Sequence, residues 1–126
     1  MSTEEARAFL EESAASRGYT LEMHRIMALA DLEWAKKYGD FIDATYTGQR
    51  SLDRKTKELL QIVVEAALRA DVEQIQAHVR VAFQEGATHQ EVLEALQAVI
   101  MPMGALAFRR GLQAWAAETG FQPLDG

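Results

Sequence analysis

The sequence predicts an all-α protein, a compact bundle of about six helices. Apolar residues recur at steps of three and four along most of the 126 residues, and no stretch alternates apolar and polar residues as a half-buried strand would. Glycines follow several of these periodic segments, where helices commonly end. A chain of this length usually builds one core, so we expect a single domain over residues 1–126.

The N-terminal part is predicted to hold two helices and a short third. The first spans residues 4–16 and is closed by Gly18, because glycine adopts left-handed geometry at low cost. The second spans residues 21–38, with Gly39 as its stop signal, and residues 40–46 form the short third helix. The second helix should bury a wide face, whose residues are Met23, Ile26, Met27, Ala30 and Trp34.

The next helix, over residues 53–69, is apolar around most of its circumference. Ser51 or Asp53 can cap its start, since both side chains accept hydrogen bonds from exposed backbone N–H groups. A helix of this kind belongs at the centre of a bundle or in a subunit interface. Its apolar residues are Leu59, Leu60, Ile62, Val63, Val64, Ala66, Ala67 and Leu68.

Two more helix starts are marked by capping residues. Asp71 can cap a helix that ends near Gly86. Thr88 and Glu91 then match a capping box, in which each side chain accepts a hydrogen bond from the other residue's backbone N–H. The second of these helices therefore begins at about residue 89.

Pro102 and Gly104 interrupt the last helical pattern, which runs over residues 89–100 and resumes over 105–119. Such a break frees backbone amides that could hold an anion, an idea that the nearby Arg109 and Arg110 slightly favour. A bend that fits both helices to one core is the more common outcome, and we expect it here.

Charge and composition exclude several functions. A formal net charge of -6 argues against binding nucleic acid, which depends on clustered Lys and Arg. The chain has no apolar run of the ~20 residues that a transmembrane helix needs, and its acidic N-terminal residues do not match a signal peptide. We therefore expect a cytoplasmic protein that contacts neither nucleic acid nor membrane.

The absence of cysteine excludes disulfides, cysteine-ligated metals and thiol redox chemistry. The sequence also has no convergent set of metal-ligating residues, no phosphate-binding loop and no dinucleotide fingerprint. If the protein is an enzyme, proton transfer and electrostatics without a cofactor are the simplest mechanism left.

His78 is the leading candidate for a functional side chain. It lies beside the apolar stripe of its helix, next to Ile75 and Ala82, and so belongs at the border of the core. A histidine there can exchange a proton with a ligand. The more common alternative is a partly buried histidine that is bonded to a carbonyl or carboxylate without reacting.

Glu58 and Glu65 share one face of the very apolar helix, since they are seven residues apart. Ionised carboxylates are costly there unless they have partners. Each could transfer protons, or each could form an ion pair with an arginine. The ion-pair interpretation is the more common one, and the candidate partners are Arg54, Arg69 and Arg80.

Residues 52–112 resemble the carboxymuconolactone decarboxylase family, within the alkyl hydroperoxidase D-like superfamily. The resemblance rests on four segments that occur in the family's order and at nearly its spacing. They are Leu52-Asp53-Arg54-Lys55-Thr56-Lys57-Glu58-Leu59-Leu60, Leu68-Arg69-Ala70-Asp71, His78-Val79-Arg80 and Gly86-Ala87-Thr88. Thiol enzymes of the superfamily carry Cys-x-x-Cys one or two turns before a histidine, whereas residues 71–78 here contain no sulfur, so thiol peroxidase activity is not expected.

The resemblance implies small helical subunits that assemble as ring-shaped homo-oligomers, commonly trimers or hexamers. It also implies a cofactor-independent decarboxylase that acts on gamma-carboxymuconolactone, or on a related carboxylated lactone, in the catabolism of aromatic compounds. Glu58, His78 and Arg80 match the family's functional region. We assign proton delivery to His78, contact with a carboxylate or enolate oxygen to Arg80, and orientation of the histidine or an arginine to Glu58.

One departure from the family pattern bears on the substrate. The family has Tyr-x-Gly-x-Pro-Ala-Ala before its last helix, whereas residues 102–108 here read Pro-Met-Gly-Ala-Leu-Ala-Phe. The altered wall is bulkier and more apolar, which leaves open another carboxylated or carbonyl compound as substrate. The alternative function is a non-catalytic helical oligomer that binds a small hydrophobic acid or serves as an assembly partner.

Overall fold

The computed structural model describes residues 2–126, and this part of the chain is all-α, with eight α-helices, one π-helical segment and no strand. The all-α prediction is confirmed, and the expected number of about six helices is too low. The chain divides into two compact units, which meet in sequence between Ser51 and Leu52. The single-domain expectation stays a prediction.

The first unit contains α1 (Thr3–Arg17), α2 (Glu22–Ala30), α3 (Leu32–Ile42) and a π-helical segment (Asp43–Thr47). The second unit contains α4 (Arg54–Ala67), α5 (Val72–Gln84), α6 (His89–Ala98), α7 (Ile100–Met103) and α8 (Ala105–Thr119). No helix in residues 2–126 is long and apolar enough to cross a membrane.

In the first unit, the predicted end of α1 is confirmed, because Gly18 closes the helix at φ 93°. The helix predicted over residues 21–38 is instead two helices. Asp31 leaves the helical region, with φ -156° and ψ 80°, and its carboxylate accepts a hydrogen bond from the backbone N–H of Trp34 to start α3. Gly39 is not a stop signal, since α3 continues to Ile42.

The prediction that residues 21–38 bury a wide face is wrong. Met23, Ile26 and Trp34 are each about half exposed in this chain. Because the helical register is interrupted at Asp31, residues before and after it do not share one stripe.

In the second unit, α4, α5, α6 and α8 pack around one apolar core. The predicted caps are confirmed: Asp53 accepts from the N–H of Thr56, and Asp71 accepts from the N–H of Gln74. The capping box is confirmed too. The largest apolar residues of this unit that are fully buried are Ile62, Ile75, Val79, Val92 and Leu96.

The end of α4 uses a residue that rarely occupies such a position. Arg69 adopts φ 59°, and the N–H of Ala70 donates to the carbonyl of Glu65 while that of Arg69 donates to Ala66. This pair of bonds is the Schellman arrangement, in which glycine is the usual left-handed residue. The turn fixes the chain just after Glu65 and leads into α5.

Near the C-terminus, Pro102 lies within the short α7, and the interruptions fall at Val99 and Gly104. Gly104 has φ 90°, so the chain turns there before α8 begins. The expected bend is therefore present, two residues beyond the proline.

Candidate active site

Three ionisable side chains from α4 and α5 meet inside the second unit. Glu58 and Glu65 lie two turns apart on the face of α4 that packs against α5, and His78 faces them from α5. All three residues are buried, with exposed fractions of 0%, 9% and 3% respectively. Buried charges at this depth need mutual compensation.

The compensation comes from a carboxylate on each side of the imidazole ring. His78 Nδ1 lies 2.8 Å from Glu58 Oε1, and His78 Nε2 lies 2.9 Å from Glu65 Oε2. A protonated ring carries N–H groups on both nitrogens, so both carboxylates can act as acceptors. The geometry therefore matches an imidazolium held between two anions.

Two opposing effects determine the pKa of His78: burial of the ring and the two neighbouring carboxylates. Burial alone lowers the pKa, because it disfavours the charged ring, but the short contacts and negative charges of Glu58 and Glu65 outweigh burial and raise it from 6.5 to about 9. At neutral pH the ring is therefore protonated and charged.

Arg54 extends the cluster at its Glu58 end. Its Nε donates to Glu58 Oε2 at 2.7 Å, one helical turn away on α4. The ion-pair interpretation of Glu58 is thus confirmed for Arg54. With His78 protonated, two cations and two carboxylates balance each other, which explains how so many ionised groups are accommodated.

Glu65 is held differently from Glu58. Gln74 Nε2 donates a short hydrogen bond to Glu65 Oε1. Glu65 Oε2, although close to His78 Nε2, is buried and accepts no well-aligned hydrogen bond from the residues that the structure describes. We regard this last contact as a charge pair, since the distance is short but the N–H direction is unfavourable.

Arg80, the third residue that the sequence places in the functional region, is not brought to this cluster. Its guanidinium donates two hydrogen bonds of 3.1 Å to Glu118 of α8, and its side chain is 52% exposed. Two residues along a helix correspond to a rotation of about 200°, so Arg80 and His78 occupy different faces of α5.

Gln74 is a site residue that the sequence reasoning missed. It lies one turn before His78, on the same face of α5. The sequence signal for it was a polar residue four positions before the candidate histidine, on the same helix face. Its partner across the helix pair could not be read from the sequence, because that contact depends on the register between α4 and α5.

The cluster is not arranged as a metal centre. Within residues 2–126 no group of three His, Asp or Glu side chains is placed to hold a metal ion. Both ring nitrogens of His78 already face carboxylates, and metal coordination requires a free ring nitrogen.

A separate apolar cleft of about 230 Å³ lies in the same unit, between α4 and the segment around α7. Met103 and Pro102, from the segment that departs from the family pattern, form part of its wall. The remaining lining residues are Val63, Val64, Ala67 and Val99.

These features define a small all-α protein with a buried acid–histidine cluster between two adjacent helices. The carboxymuconolactone decarboxylase family model matches residues 33–117, and the chain belongs to this family. The match includes the whole cluster. No curated protein and no solved structure is significantly similar to the chain.

Proposed function

We propose that the protein is a cofactor-independent carboxy-lyase that decarboxylates gamma-carboxymuconolactone or a related carboxylated lactone. The observation that carries this proposal is the buried imidazole ring of His78, which lies between the carboxylates of Glu58 and Glu65. Decarboxylation of a conjugated lactone leaves an enolate that must take up a proton on carbon, and a histidine whose pKa is raised to about 9 can supply one at neutral pH.

In the proposed reaction, the bond between the ring carbon and the carboxylate breaks and carbon dioxide leaves. The electron pair moves into the conjugated lactone carbonyl, giving an enolate, so the substrate itself serves as the electron sink. The proton held by His78 then forms a C–H bond at a carbon of this enolate, and the imidazole is reprotonated from solvent. Glu58 holds Nδ1 and fixes the ring orientation.

The contacts of Arg80 and Arg54 change the roles that we assign to these two arginines. The guanidinium of Arg80 binds Glu118 on another face of α5. Arg80 is therefore not assigned the role of holding the substrate carboxylate. Arg54 supplies the positive charge next to Glu58. A larger loss of activity in Arg80→Ala than in a His78 variant would return the main role to Arg80.

We also propose that the protein acts as a homo-oligomer, a trimer or a hexamer. Leu60, Val64 and Leu68 follow one another at four-residue spacing along α4 and its C-cap, and all three are about half or more exposed. An apolar stripe of this kind is typical of a surface that another protein covers.

The alternative function is binding of a small hydrophobic acid without turnover. The apolar cleft next to Met103 favours it, because that cleft is lined by aliphatic side chains and lies apart from the residues of the ionisable cluster. Saturable binding of a carboxylated ligand without any loss of carbon dioxide would support this alternative.

The test follows the ultraviolet absorbance of gamma-carboxymuconolactone with wild-type protein, His78→Gln and Glu118→Gln. We expect wild-type turnover and a loss of about 100-fold or more in His78→Gln, the usual contribution of a general acid. Glu118→Gln is the matched control, because it removes an ion pair of α5 outside the cluster.

Glu58→Gln serves as a second variant should His78→Gln fail to fold, as judged by circular dichroism. Full activity in a folded His78→Gln variant would contradict the role of His78. Lack of turnover by the wild-type protein would contradict the decarboxylase proposal.

A further inference from the structure

We propose that Glu65 is the group through which the buried imidazolium exchanges its proton, and that Gln74 is the positioning residue that holds Glu65 in place. The catalytic meaning of this inference rests on the proposed function. The geometry on which it stands, however, is independent of any substrate.

Exposure indicates the direction in which a proton can leave the cluster. The side chain of His78 is 4% exposed and that of Glu58 is fully buried, whereas 11% of the Glu65 side chain is exposed. Of these three side chains, Glu65 is therefore the most exposed. Its Oε2 atom is itself buried, so a proton taken up there reaches solvent or a ligand only when the carboxyl group turns.

The contact between His78 and Glu65 suits a transfer step. Glu65 Oε2 lies 2.9 Å from His78 Nε2 and accepts no well-aligned hydrogen bond from the described residues. A small rotation of the carboxyl group aligns it with the N–H. The Nε2–H bond then breaks, an O–H bond forms on Glu65, and the neutral ring keeps its Nδ1–H on Glu58.

In the second step of the exchange, the proton leaves Glu65. The neutral Glu65 carboxylic acid gives its proton to the substrate carbanion or to water and becomes a carboxylate again. Solvent then returns a proton to His78 by the same path in reverse. The step needs no oxidant, reductant or further reactant, since only a proton moves.

Gln74 fixes the other oxygen of the same carboxylate. Its Nε2 donates to Glu65 Oε1, and its own backbone N–H is bonded to the Asp71 carboxylate at 2.9 Å. A side-chain amide donates without titrating, so it orients Glu65 without competing for the proton. The start of α5 thereby positions the carboxylate on α4.

The charged groups around His78 come from a limited set of elements. From α4 they include Arg54, Glu58 and Glu65, which form the contacts already described. Lys57, next to Glu58 in the sequence, is also buried. From α8, Glu118 binds Gln76 and Arg80 on other faces of α5. Substitution of Gln74 changes no charge, so any shift in the titration of His78 reports the position of Glu65.

The experiment compares Gln74→Met with Gln76→Met. The second variant is a matched control, because Gln76 is also a partly buried glutamine of α5 whose amide binds a carboxylate, that of Glu118, outside the cluster. The titration of His78 is followed by nitrogen-15 NMR, and kcat and KM for gamma-carboxymuconolactone are measured alongside.

In Gln74→Met we expect the pKa of His78 to fall by about one unit, because a Glu65 carboxylate that is no longer held in place lies farther from the ring and stabilises its charge less. We also expect kcat to fall while KM changes little, and Gln76→Met to match the wild-type protein in both measurements. Glu65→Gln should lower the pKa of His78 as well, because its amide carries no charge.

An unchanged pKa of His78 in Gln74→Met would overturn the role of Gln74, and an unchanged pKa in Glu65→Gln would overturn that of Glu65. Absence of turnover by the wild-type protein would instead contradict the proposed function, and the titrations would still decide this inference.

Discussion

His78 is stabilised in the core only in its charged form, by partners on both ring nitrogens. Its neutral form has only one ring N–H, so one of the two carboxylate oxygens that face the ring would have no N–H opposite it. The cost of an unsatisfied buried acceptor is about 1–3 kcal/mol, and more when the group is ionised. Folding and proton binding at this residue are therefore coupled.

This coupling predicts how stability depends on pH. The pKa of His78 is raised from 6.5 to about 9 on folding, so its contribution is fully present below pH 6.5 and is lost as pH rises through 9. The loss should be on the order of 3 kcal/mol of the free energy of unfolding. Urea unfolding at about pH 6 and about pH 9.5 measures it.

The controls are His78→Gln, which should lose this pH dependence, and His89→Gln, which should keep it. His89 is exposed at the start of α6, away from the acidic pair. A wild-type protein whose stability stays level between the two pH values would contradict a charged His78.

At the scale of the helices, α8 lies close to its neighbours α4 and α6 at Gly111. A Cβ built there would lie 2.6 Å from Leu96 Cδ2 and 3.1 Å from Ala66 Cβ. Both of these residues are fully buried, so neither can move aside at low cost. The glycine thus lets α8 close over α4 and α6.

Gly111→Ala separates helix propensity from packing. Alanine is favoured over glycine by about 1 kcal/mol inside a helix, but overpacking usually costs about 1–3 kcal/mol. We expect a net destabilisation in urea unfolding, whereas Gln113→Ala, at an exposed position of α8, should be close to neutral. A more stable Gly111→Ala variant would show that the helices are not in tight contact.

The helix boundaries show which features could be predicted from sequence. Asp53, Asp71 and Thr88 were identified because a cap binds a backbone N–H only three residues away. Asp31 has the same local chemistry, but continuous apolar periodicity across it predicted one helix. Gly39 lies within α3, so a glycine after an apolar periodic segment does not always mark the end of a helix.

The candidate site also combines features that could be predicted from the sequence with features that could not. Glu58 and His78 were predicted, and the structure brings them together, because each stands out as an ionisable residue beside an apolar stripe. The contact from Gln74 to Glu65 and the turn of Arg80 towards Glu118 depend on how α5 packs against α4 and α8. Helical periodicity does not determine that packing.

At the scale of the whole molecule, apolar side chains remain exposed in both units. In the second unit Leu60, Val64 and Leu68 are 49%, 54% and 75% exposed. Soluble monomers rarely keep large contiguous apolar patches. In the first unit the exposed apolar residues include Met23, Ile26, Leu29, Trp34 and Phe41.

If α4 contributes to a subunit interface, Val64→Glu should disrupt the oligomer, because it places a charge in the middle of the stripe. Sedimentation velocity should show a trimer or hexamer for the wild-type protein and smaller species for Val64→Glu. Gln90→Glu, which adds the same charge at an exposed position of α6, should leave the oligomer intact. A monomeric wild-type protein would contradict the proposed assembly.

The central claim is that the buried His78 cluster supports a decarboxylation. It is tested most directly by incubating the wild-type protein with gamma-carboxymuconolactone in deuterated water and analysing the products by mass spectrometry. We expect one carbon dioxide per lactone consumed and one carbon-bound deuterium in the product. Unchanged lactone, or lactone consumed without release of carbon dioxide, would contradict it.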